Sequence, residues 1–254
     1  YIGLEVAEAA VNLNKEVRII QLDDRVIPGS FDKEMTDIME KEIRGHKDVF
    51  LNLGESVSEF EGKSGKVSEV RTNKGVYPAD IVVLATGVRP NTKFLDGTGI
   101  ETLKNGAIVI DERGRSSIKD IYAAGDCATV YHKLKKENVY IPLATTSNKI
   151  GRVVGENLAG KDKEFKGTLG SAAIKVLDLE AGRTCLSSDE AEKMGINYKS
   201  VFIHDKNQTS YYPGQEDLYV KIIYEADTKK ILGGQLIGKK GSCIKSRCVS
   251  GRYW

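Results

Sequence analysis

The chain is short of cysteine, of long apolar runs and of surplus charge of either sign. Its 254 residues include four cysteines, none in a C-x-x-C pair, which is too few for a disulfide scaffold. No run of 18 apolar residues occurs, so the sequence predicts no membrane span. The 38 basic and 36 acidic residues nearly cancel, which leaves no broad basic field for nucleic acid. We therefore expect a soluble protein of a reducing, cytoplasmic compartment.

The two ends of the chain are unusual. It begins at Tyr1 with no initiator methionine, signal peptide or leading strand. Residues 242–254 have neither helical nor strand periodicity, yet they hold two of the four cysteines and the only tryptophan. We interpret the sequence as a fragment with an anomalous tail, and the role of residues 242–254 stays open.

The first part of the chain alternates helical and strand patterns. The pattern predicts helices at residues 4–13 and 33–43, strands at 17–22 and 49–53, and a β-meander at 56–78. Asp32 stands directly before the second helix and is expected to cap it. This alternation indicates an α/β region.

An apolar run at residues 80–87 is the clearest strand pattern in the sequence. Continuous apolar residues without alternation are typical of a parallel strand covered on both faces. Further strands are predicted at 107–110 and 121–124, and a helix at 145–158 that stops before Gly160.

The pattern changes from about residue 165 onward. Strands are predicted at residues 172–177 and 199–203, a short helix at 188–194, and an antiparallel hairpin at 218–225 and 231–237. Because no parallel crossover is indicated, this second part is expected to be an α+β module.

Polar residues near the first helix and first strand suggest a nucleotide site. Gly3 lies where the third glycine of G-x-G-x-x-G would allow close helix packing, although the first two glycines are absent. Gln21 ends the strand where a carboxylate often binds the adenine ribose, and an amide does not repel a 2′-phosphate. The choice between NADH and NADPH is therefore open. An ordinary loop glycine, and solvated turn residues at Asp23 and Asp24, are the alternatives.

Two downstream motifs are stronger. Ala-Thr-Gly-Val-Arg-Pro-Asn at residues 85–91 follows the apolar run, and Ile-Tyr-Ala-Ala-Gly-Asp at 121–126 ends a predicted strand. Small residues before Gly125 and Asp126 let the backbone approach a ligand while one carboxylate accepts hydrogen bonds from hydroxyl groups. An isolated Gly-Asp is otherwise a turn.

With Tyr-Ile-Gly-Leu-Glu at the start and Pro-Leu-Ala-Thr-Thr at 142–146, these motifs carry a family resemblance over roughly residues 1–240. The sequence resembles the FAD-dependent pyridine nucleotide-disulfide oxidoreductases, within them the single-cysteine branch of coenzyme A-disulfide reductases, NADH oxidases and NADH peroxidases. The resemblance implies a Rossmann-like NAD(P)-binding domain inserted in a split FAD-binding domain, then an α+β dimerisation domain. The corresponding boundaries are 1–88, 89–164 and 165–254.

The resemblance also implies roles for individual residues. The nicotinamide end of NAD(P)H would be bound by Ile2, Gly3, Glu5 and Gly87. Asp126 would bind the ribityl–pyrophosphate region of FAD. The backbone against the flavin ring would come from Leu143, Ala144 and Thr145. Gln21 stands where many NADH-selective relatives have an acidic residue, which weakens any expectation of NADH selectivity.

Tyr-Tyr-Pro-Gly at residues 211–214 bears on the substrate. Such a sequence alone is usually a turn with aromatic cover. In coenzyme A-disulfide reductases a similar motif places a tyrosine in the active site of the partner subunit, so the resemblance implies a homodimer. Tyr211 is the expected residue, with Tyr212 as the alternative, and the motif favours CoA disulfide over oxygen or hydrogen peroxide as acceptor.

The redox cysteine of the family is expected to lie outside this chain. Cys127 is expected to be a small buried thiol, and Cys185 an incidental one, although a helix dipole near it could lower its pKa. The spacing of Cys243 and Cys248 is not one expected for metal ligands, and the three histidines are scattered and expected at the surface. No metal site is predicted.

These expectations lead to three functional hypotheses. The first is a flavoenzyme that passes hydride from NAD(P)H through FAD to a cysteine that reduces CoA disulfide. The second is an NADH oxidase or peroxidase. The third, from another class, is a non-catalytic nucleotide-binding and dimerisation module formed by this chain alone.

Overall fold

The structure, a computed structural model, describes residues 1–239. The helices in this range are α1 (Ile2–Asn12), α2 (Lys33–Gly45), α3 (Ala144–Leu158) and α4 (Ser188–Lys193). The strands are β1 (Val17–Ile20), β2 (Val49–Asn52), β3 (Val57–Lys63), β4 (Lys66–Thr72), β5 (Val76–Pro78), β6 (Val130–His132), β7 (Glu137–Val139), β8 (Ala172–Val176), β9 (Leu179–Cys185), β10 (Tyr198–Lys206), β11 (Asp217–Glu225) and β12 (Ile231–Lys239).

The described chain forms two compact units. The discontinuous unit consists of residues 1–85 together with the chain from Ser171 onward, and the inserted unit consists of residues 86–170. The predicted boundaries at 88/89 and 164/165 lie close to these divisions. They stay predictions, because a family's domain boundaries and compact units in space are different quantities.

The first segment of the discontinuous unit has the predicted α/β pattern. β1 and β2 pair in parallel, with Val17 opposite Val49, and two helices pack nearby. α1 buries Leu4 and Ala7, which are three residues apart on one face. α2 buries Met35, Thr36, Met39 and Ile43. The predicted helices at residues 4–13 and 33–43 and strands at 17–22 and 49–53 are confirmed, as is the antiparallel meander β3–β4–β5.

The second segment is an antiparallel five-stranded sheet in the order β10-β11-β12-β9-β8. The predicted hairpin is β11–β12, in which Leu218 lies opposite Gly238. α4 begins with a capping box between Ser187 and Glu190, and the chain turns away at Gly195, whose φ is +68°. Strand β9 is not among the sequence predictions.

A shared hydrophobic core joins the two segments of the discontinuous unit. Its fully buried members from the first segment include Phe31, Met35 and Met39, and those from the second include Val176 and Ile237. α1 lies against β8 and α2 lies against β12, so the five-stranded sheet covers both helices of the first segment. Residues 1–85 and the sheet therefore stabilise each other.

The inserted unit has its own smaller core. Ile108, Ile110, Val130 and Ile150 are buried together, with Phe165 packed against them. α3 confirms the predicted helix, and Gly160 just beyond its end has a φ of +84°. No helix within residues 1–239 is long and apolar enough to cross a membrane.

The prediction of a buried strand at residues 80–87 is wrong. Ile81 is 81% exposed and Leu84 is 69% exposed, and no described strand pairs with this segment. Apolar residues become a buried parallel strand only where neighbouring strands and covering helices exist on both sides. Within the described residues those neighbours are missing.

Four further expectations need correction. Residues 107–110 and 121–124 form isolated bridges, Ile108 with Ala128 and Arg115 with Tyr122, and no strand. His132, the last residue of β6, is 2% exposed, because its imidazole packs against the backbone at Gly170. Asp32 does precede α2, but its side chain makes no capping hydrogen bond and binds elsewhere in the discontinuous unit.

Candidate nucleotide and flavin sites

The first turn of α1 carries Ile2, Gly3 and Glu5. Tyr1 is the N-cap residue and makes no side-chain capping hydrogen bond. A Cβ atom placed on Gly3 would lie 3.4 Å from the Cβ of Ala85, so α1 passes close to the segment that leads to Gly87. Ile2 and Glu5 are exposed on the same first turn.

The end of β1 brings Gln21 and Asp23 together. The backbone of Gln21 donates to the carbonyl of Asn52 at 2.9 Å and accepts from the N–H of Glu55 at 2.9 Å. Its side-chain Nε2 donates to Oδ2 of Asp23 at 3.2 Å. The structure thus fixes the backbone of Gln21 and leaves an amide–carboxylate pair at the carboxyl end of the strand, where α/β sheets bind ligands. Asp24 is exposed and separate from this pair.

In the inserted unit, Asp126 lies beside the N-terminus of α3. The Oγ of Ser147 donates a hydrogen bond to Oδ1 of Asp126, which is otherwise exposed. Leu143 is the N-cap in an extended conformation and provides no side-chain cap, and Ala144 and Thr145 are exposed in the first turn. The structure therefore brings together four residues that the sequence predicted: Asp126, Leu143, Ala144 and Thr145.

Sequence reasoning missed two neighbours of this carboxylate. Ser147 orients it, and Tyr140 lies close enough that burial, with the negative charge of Asp126 added, raises the pKa of the phenol. A hydroxyl residue in the first turn of the helix after a Gly-Asp motif is the signal that could have identified Ser147. No comparable sequence signal marks Tyr140.

These residues fit a flavin nucleotide. A carboxylate accepts hydrogen bonds from ribityl hydroxyls, and an uncapped helix N-terminus favours a pyrophosphate or an electron-rich carbonyl. Gly125 adds room, because its φ of +92° is left-handed and a Cβ there would meet no heavy atom within 4 Å. The Asp126 carboxylate and the uncapped first turn of α3 therefore have the chemistry that the predicted FAD-binding role requires.

A loop between β10 and β11 presents two tyrosines to solvent. We call residues 207–216 the tyrosine loop; Tyr211 is 79% exposed and Tyr212 is 58% exposed. Their ring centroids are 5.2 Å apart. Side-chain hydrogen bonds fix the loop, from Gln208 to the carbonyl of Pro213 at 2.9 Å and from Gln215 to that of Thr209 at 2.6 Å. The phenol groups are thus presented by an ordered loop.

The two described cysteines are at least partly shielded from solvent. Burial raises the pKa of the Cys185 thiol, which argues against the lowering by a helix dipole and agrees with the incidental thiol that the sequence analysis expects. Cys127 is half-buried, and its Sγ lies 3.4 Å from the carbonyl oxygen of Ala124. Cys243 and Cys248 lie outside the described residues. Among residues 1–239 no group of three His, Cys, Asp or Glu side chains could hold a metal ion.

Comparison with known families agrees with this geometry. Residues 1–151 match the family described as pyridine nucleotide-disulphide oxidoreductase, and residues 171–249 match the dimerisation domain of the same family. The chain belongs to the pyridine nucleotide-disulphide oxidoreductases. The expected family and fold class are therefore confirmed: a nucleotide-binding α/β region followed by an α+β dimerisation domain.

Individual members of the family include both sulfur and oxygen reductases. The chain is 40% identical over 238 residues to the "NAD(P)H sulfur oxidoreductase (CoA-dependent)" of Pyrococcus furiosus, covering 94% of this chain and 53% of that relative. It is 37% identical to an NADH oxidase of Streptococcus pneumoniae, covering 93% of this chain and 51% of the relative. The chain thus spans about half the length of the curated relatives it matches.

The solved structures that resemble this chain also include both a persulfide reductase and an NADH oxidase. An NAD-dependent persulfide reductase from A. fulgidus superposes with a TM-score of 0.91 and 33% identity, over 98% of this chain and 46% of that one. A water-forming NADH oxidase from Lactobacillus brevis bound to NADH superposes with a TM-score of 0.90 and 35% identity, over 98% of this chain and 55% of that one.

Proposed function

We propose that this chain serves an FAD-dependent NAD(P)H oxidoreductase that reduces CoA disulfide. The observation that carries the proposal is the exposed carboxylate of Asp126, oriented by Ser147 beside the uncapped N-terminus of α3. Overall, NAD(P)H, a proton and CoA disulfide are converted into NAD(P)⁺ and two CoA thiols. The relative of known CoA dependence supports this acceptor.

The flavin side of the proposal uses residues of the inserted unit. Asp126 accepts hydrogen bonds from ribityl hydroxyls, and Leu143, Ala144 and Thr145 place backbone groups against the ring. Bound FAD supplies the two-electron chemistry between nicotinamide and sulfur. The protein's own contribution is orientation, since Ser147 holds the Asp126 carboxylate in place.

The nucleotide side uses the discontinuous unit and the segment that follows it. Ile2, Gly3 and Glu5 at the start of α1, with Gly87, bind the nicotinamide end. Gln21 contacts the adenosine ribose through its amide. The neutral Gln21 amide tolerates a 2′-phosphate, whereas the Asp23 carboxylate hydrogen-bonded to it would repel one, so the choice between NADH and NADPH is left open and is decided by the assay.

The acceptor side uses the tyrosine loop. In a homodimer Tyr211 reaches the partner's active site and its phenol assists thiol and disulfide chemistry, with Tyr212 as the second candidate. The exposure of both rings on an ordered loop supports this role. The matched dimerisation domain supports the dimer. A reducing, cytoplasmic location is part of the same proposal, supported by the free Cys127 and Cys185.

Two other functions compete with this one. The NADH oxidases among the relatives favour oxygen or hydrogen peroxide as the acceptor. A non-catalytic nucleotide-binding and dimerisation module is favoured by the buried position of Cys185, which raises the pKa of its thiol and disfavours the thiolate.

Assays of the full protein, and of this chain purified alone, separate the three functions. We expect flavin absorbance near 450 nm, and oxidation of NADH or NADPH that depends on CoA disulfide and exceeds the rate with oxygen or peroxide. Tyr211→Phe should lower kcat with CoA disulfide by about tenfold. Tyr131→Phe, an exposed tyrosine outside the tyrosine loop, is the matched control.

Each contrary outcome has a clear meaning. Turnover of oxygen to water without CoA-disulfide activity would replace the proposal by the oxidase function. Nucleotide binding without any turnover would identify the binding module. Loss of activity in Tyr212→Phe but not in Tyr211→Phe would transfer the role to Tyr212.

A further inference from the structure

The segment from Gln21 to Asp32 joins β1 to α2 and carries the residues proposed to read the ribose. We call residues 21–32 the ribose loop. It has no regular secondary structure, and it contains Ile27 and Gly29 in left-handed backbone conformations, at φ values of +45° and +77°. Such a loop needs support from elsewhere to hold one conformation.

Its first half is supported from residues 1–85. The carbonyl of Asp23 accepts from the N–H of Gly54 at 2.8 Å, and the N–H of Val26 donates to Oε1 of Glu40 at 3.1 Å. The proposed ribose contact, Gln21, is also fixed within this segment. The second half of the loop has a different source of support.

Arg183 on β9 supports the middle of the second half. Its Nη1 donates to the carbonyl of Ser30 at 2.7 Å and lies 3.4 Å from that of Gly29. Its Nη2 donates to Glu190 of the α4 capping box at 2.6 Å. The Arg183 side chain is only 10% exposed, so these contacts are shielded from water and are worth more than surface contacts.

Gln235 on β12 supports the end of the loop. Its Oε1 accepts from the backbone N–H of Asp32 at 2.8 Å, and Gln235 is 1% exposed. Its Nε2 is buried and has no hydrogen-bond partner in the described structure. Replacing Gln235 by methionine would therefore remove one identifiable hydrogen bond, the one to the loop.

Asp189 on α4 supports the end of the first half, at Arg25. It pairs with Arg25 at 2.8 Å, and the two side chains are 41% and 21% exposed. We call the part of the discontinuous unit from Ser171 onward the dimerisation module. Three of its residues, on β9, α4 and β12, therefore hold the ribose loop at separate points.

We infer that Arg183, Asp189 and Gln235 are positioning residues for nucleotide recognition: from the dimerisation module they fix residues 25–32, the part of the ribose loop that follows Gln21 and Asp23, in the conformation that borders the proposed adenosine end of NAD(P)H. This inference rests on the proposed function, because it assumes that the loop meets the nucleotide. None of the three residues touches the nucleotide. Their removal should raise KM for NAD(P)H and leave kcat nearly unchanged, since in the proposed function the ribose loop contributes to binding of the adenosine end and supplies no group to the reacting atoms.

The test uses Asp189→Ala, Gln235→Met and Arg183→Lys in the full protein. Lys175→Met is the matched control, because Lys175 also joins the dimerisation module to residues 1–85, but through Glu8 on α1 and not through the loop. Asp189→Ala is the mildest change, since the pair it breaks is partly exposed. It should fold even if the buried substitutions do not.

Two readouts are measured on each variant. Amide hydrogen exchange without nucleotide should be accelerated about tenfold or more for residues 25–32 in the three variants and unchanged in the control. KM for NADH and NADPH should rise about three- to tenfold, with kcat within about twofold of the parent. Arg183→Lys should have an intermediate effect, because it keeps the charge and loses the two-nitrogen geometry.

The outcomes separate the inference from the proposed function. Faster exchange in the loop with an unchanged KM would overturn the inference, and so would an equal rise of KM in Lys175→Met. Unchanged exchange in Asp189→Ala and Gln235→Met would overturn it as well. A parent protein that neither binds nor oxidises NADH or NADPH would instead overturn the proposed function, whatever the exchange rates show.

Discussion

Two aspartates beside helix N-termini differ in almost every respect. Asp32, before α2, is 2% exposed, and its carboxylate accepts from the N–H of Ser188 at 3.0 Å, from the Oγ of Ser188 at 2.8 Å and from the Nζ of Lys221 at 2.8 Å. Asp126, beside α3, is exposed and accepts from Ser147. A carboxylate with several internal donors serves the architecture, whereas one with an open oxygen remains available to a ligand.

The surroundings of the two aspartates explain the difference. Asp32 lies where two segments of the discontinuous unit meet, and water is excluded there by the shared core. A buried charge must be paired, and Lys221 and Ser188 provide the partners. Asp126 lies at the surface of a unit whose core is small, so its carboxylate stays in contact with solvent and needs no buried charge partner.

The largest expected effect comes from removing the cation beside Asp32. Lys221→Met leaves a buried carboxylate without its charge partner, and we expect the free energy of unfolding to fall by about 3–5 kcal/mol. Urea unfolding of the full protein measures this loss. Glu34→Gln is the control, because Glu34 contacts the same amino group at 2.9 Å but is half exposed, and it should cost about 1 kcal/mol or less.

The double variant Asp32→Leu with Lys221→Met sharpens this prediction. Replacing both charges by apolar groups removes the unpaired charge and should restore most of the lost stability. If the double variant is no more stable than Lys221→Met alone, the role of the pair lies in its hydrogen bonds to Ser188 and not in charge compensation.

The next largest effect concerns Asp126, where we expect a loss of ligand affinity and no loss of stability. Asp126→Asn should weaken FAD binding by about tenfold or more, because hydrogen bonds to a charged acceptor are lost, and should leave the urea midpoint unchanged. Flavin fluorescence titration measures the affinity. Ser147→Ala should cause a smaller loss, since it frees the carboxylate without removing it. A destabilised protein with normal FAD affinity would show that Asp126 is structural after all.

The smallest effect is the dependence of stability on alkaline pH. Burial alone would lower the pKa of Lys221, but hydrogen bonds to Asp32 and Glu34 outweigh it and raise the pKa above the usual 10.5. Because the folded protein holds this proton more tightly, its contribution to stability is complete below pH 10.5 and is lost as the pH rises further. Urea midpoints measured from about pH 10 to about pH 12 should fall above pH 10.5 in the parent and stay flatter in Lys221→Met; parallel curves would contradict the assignment.

Much of the fold could be predicted because its signals are local. Residues 4–13 and 33–43 show helical periodicity, and the hairpin around residues 227–230 has turn residues between two apolar runs. β9 was missed, since its mixed residues become a strand only by pairing with β8 and β12. The run at 80–87 failed for the opposite reason, because strong apolar character does not establish that a neighbouring strand exists.

The candidate sites divide in the same way. Asp126 and the first turn of α3 are close in sequence and follow recognisable motifs, so they were found. The pairing of Asp32 with Lys221, and the support of the ribose loop by Arg183 and Gln235, depend on residues far apart in the chain. No short motif contains that information, since each side chain alone is an ordinary polar residue.

The long-range contact between Asp32 and Gln235 has a consequence for synthesis. The two residues are 203 positions apart, so the ribosome adds roughly 10 to 40 s of further chain after Asp32 before its partner exists. During that interval α2 packs against β2 but lacks β12, so part of its apolar face is uncovered. Nascent chains are therefore most prone to aggregation, and most in need of a chaperone, before β12 emerges.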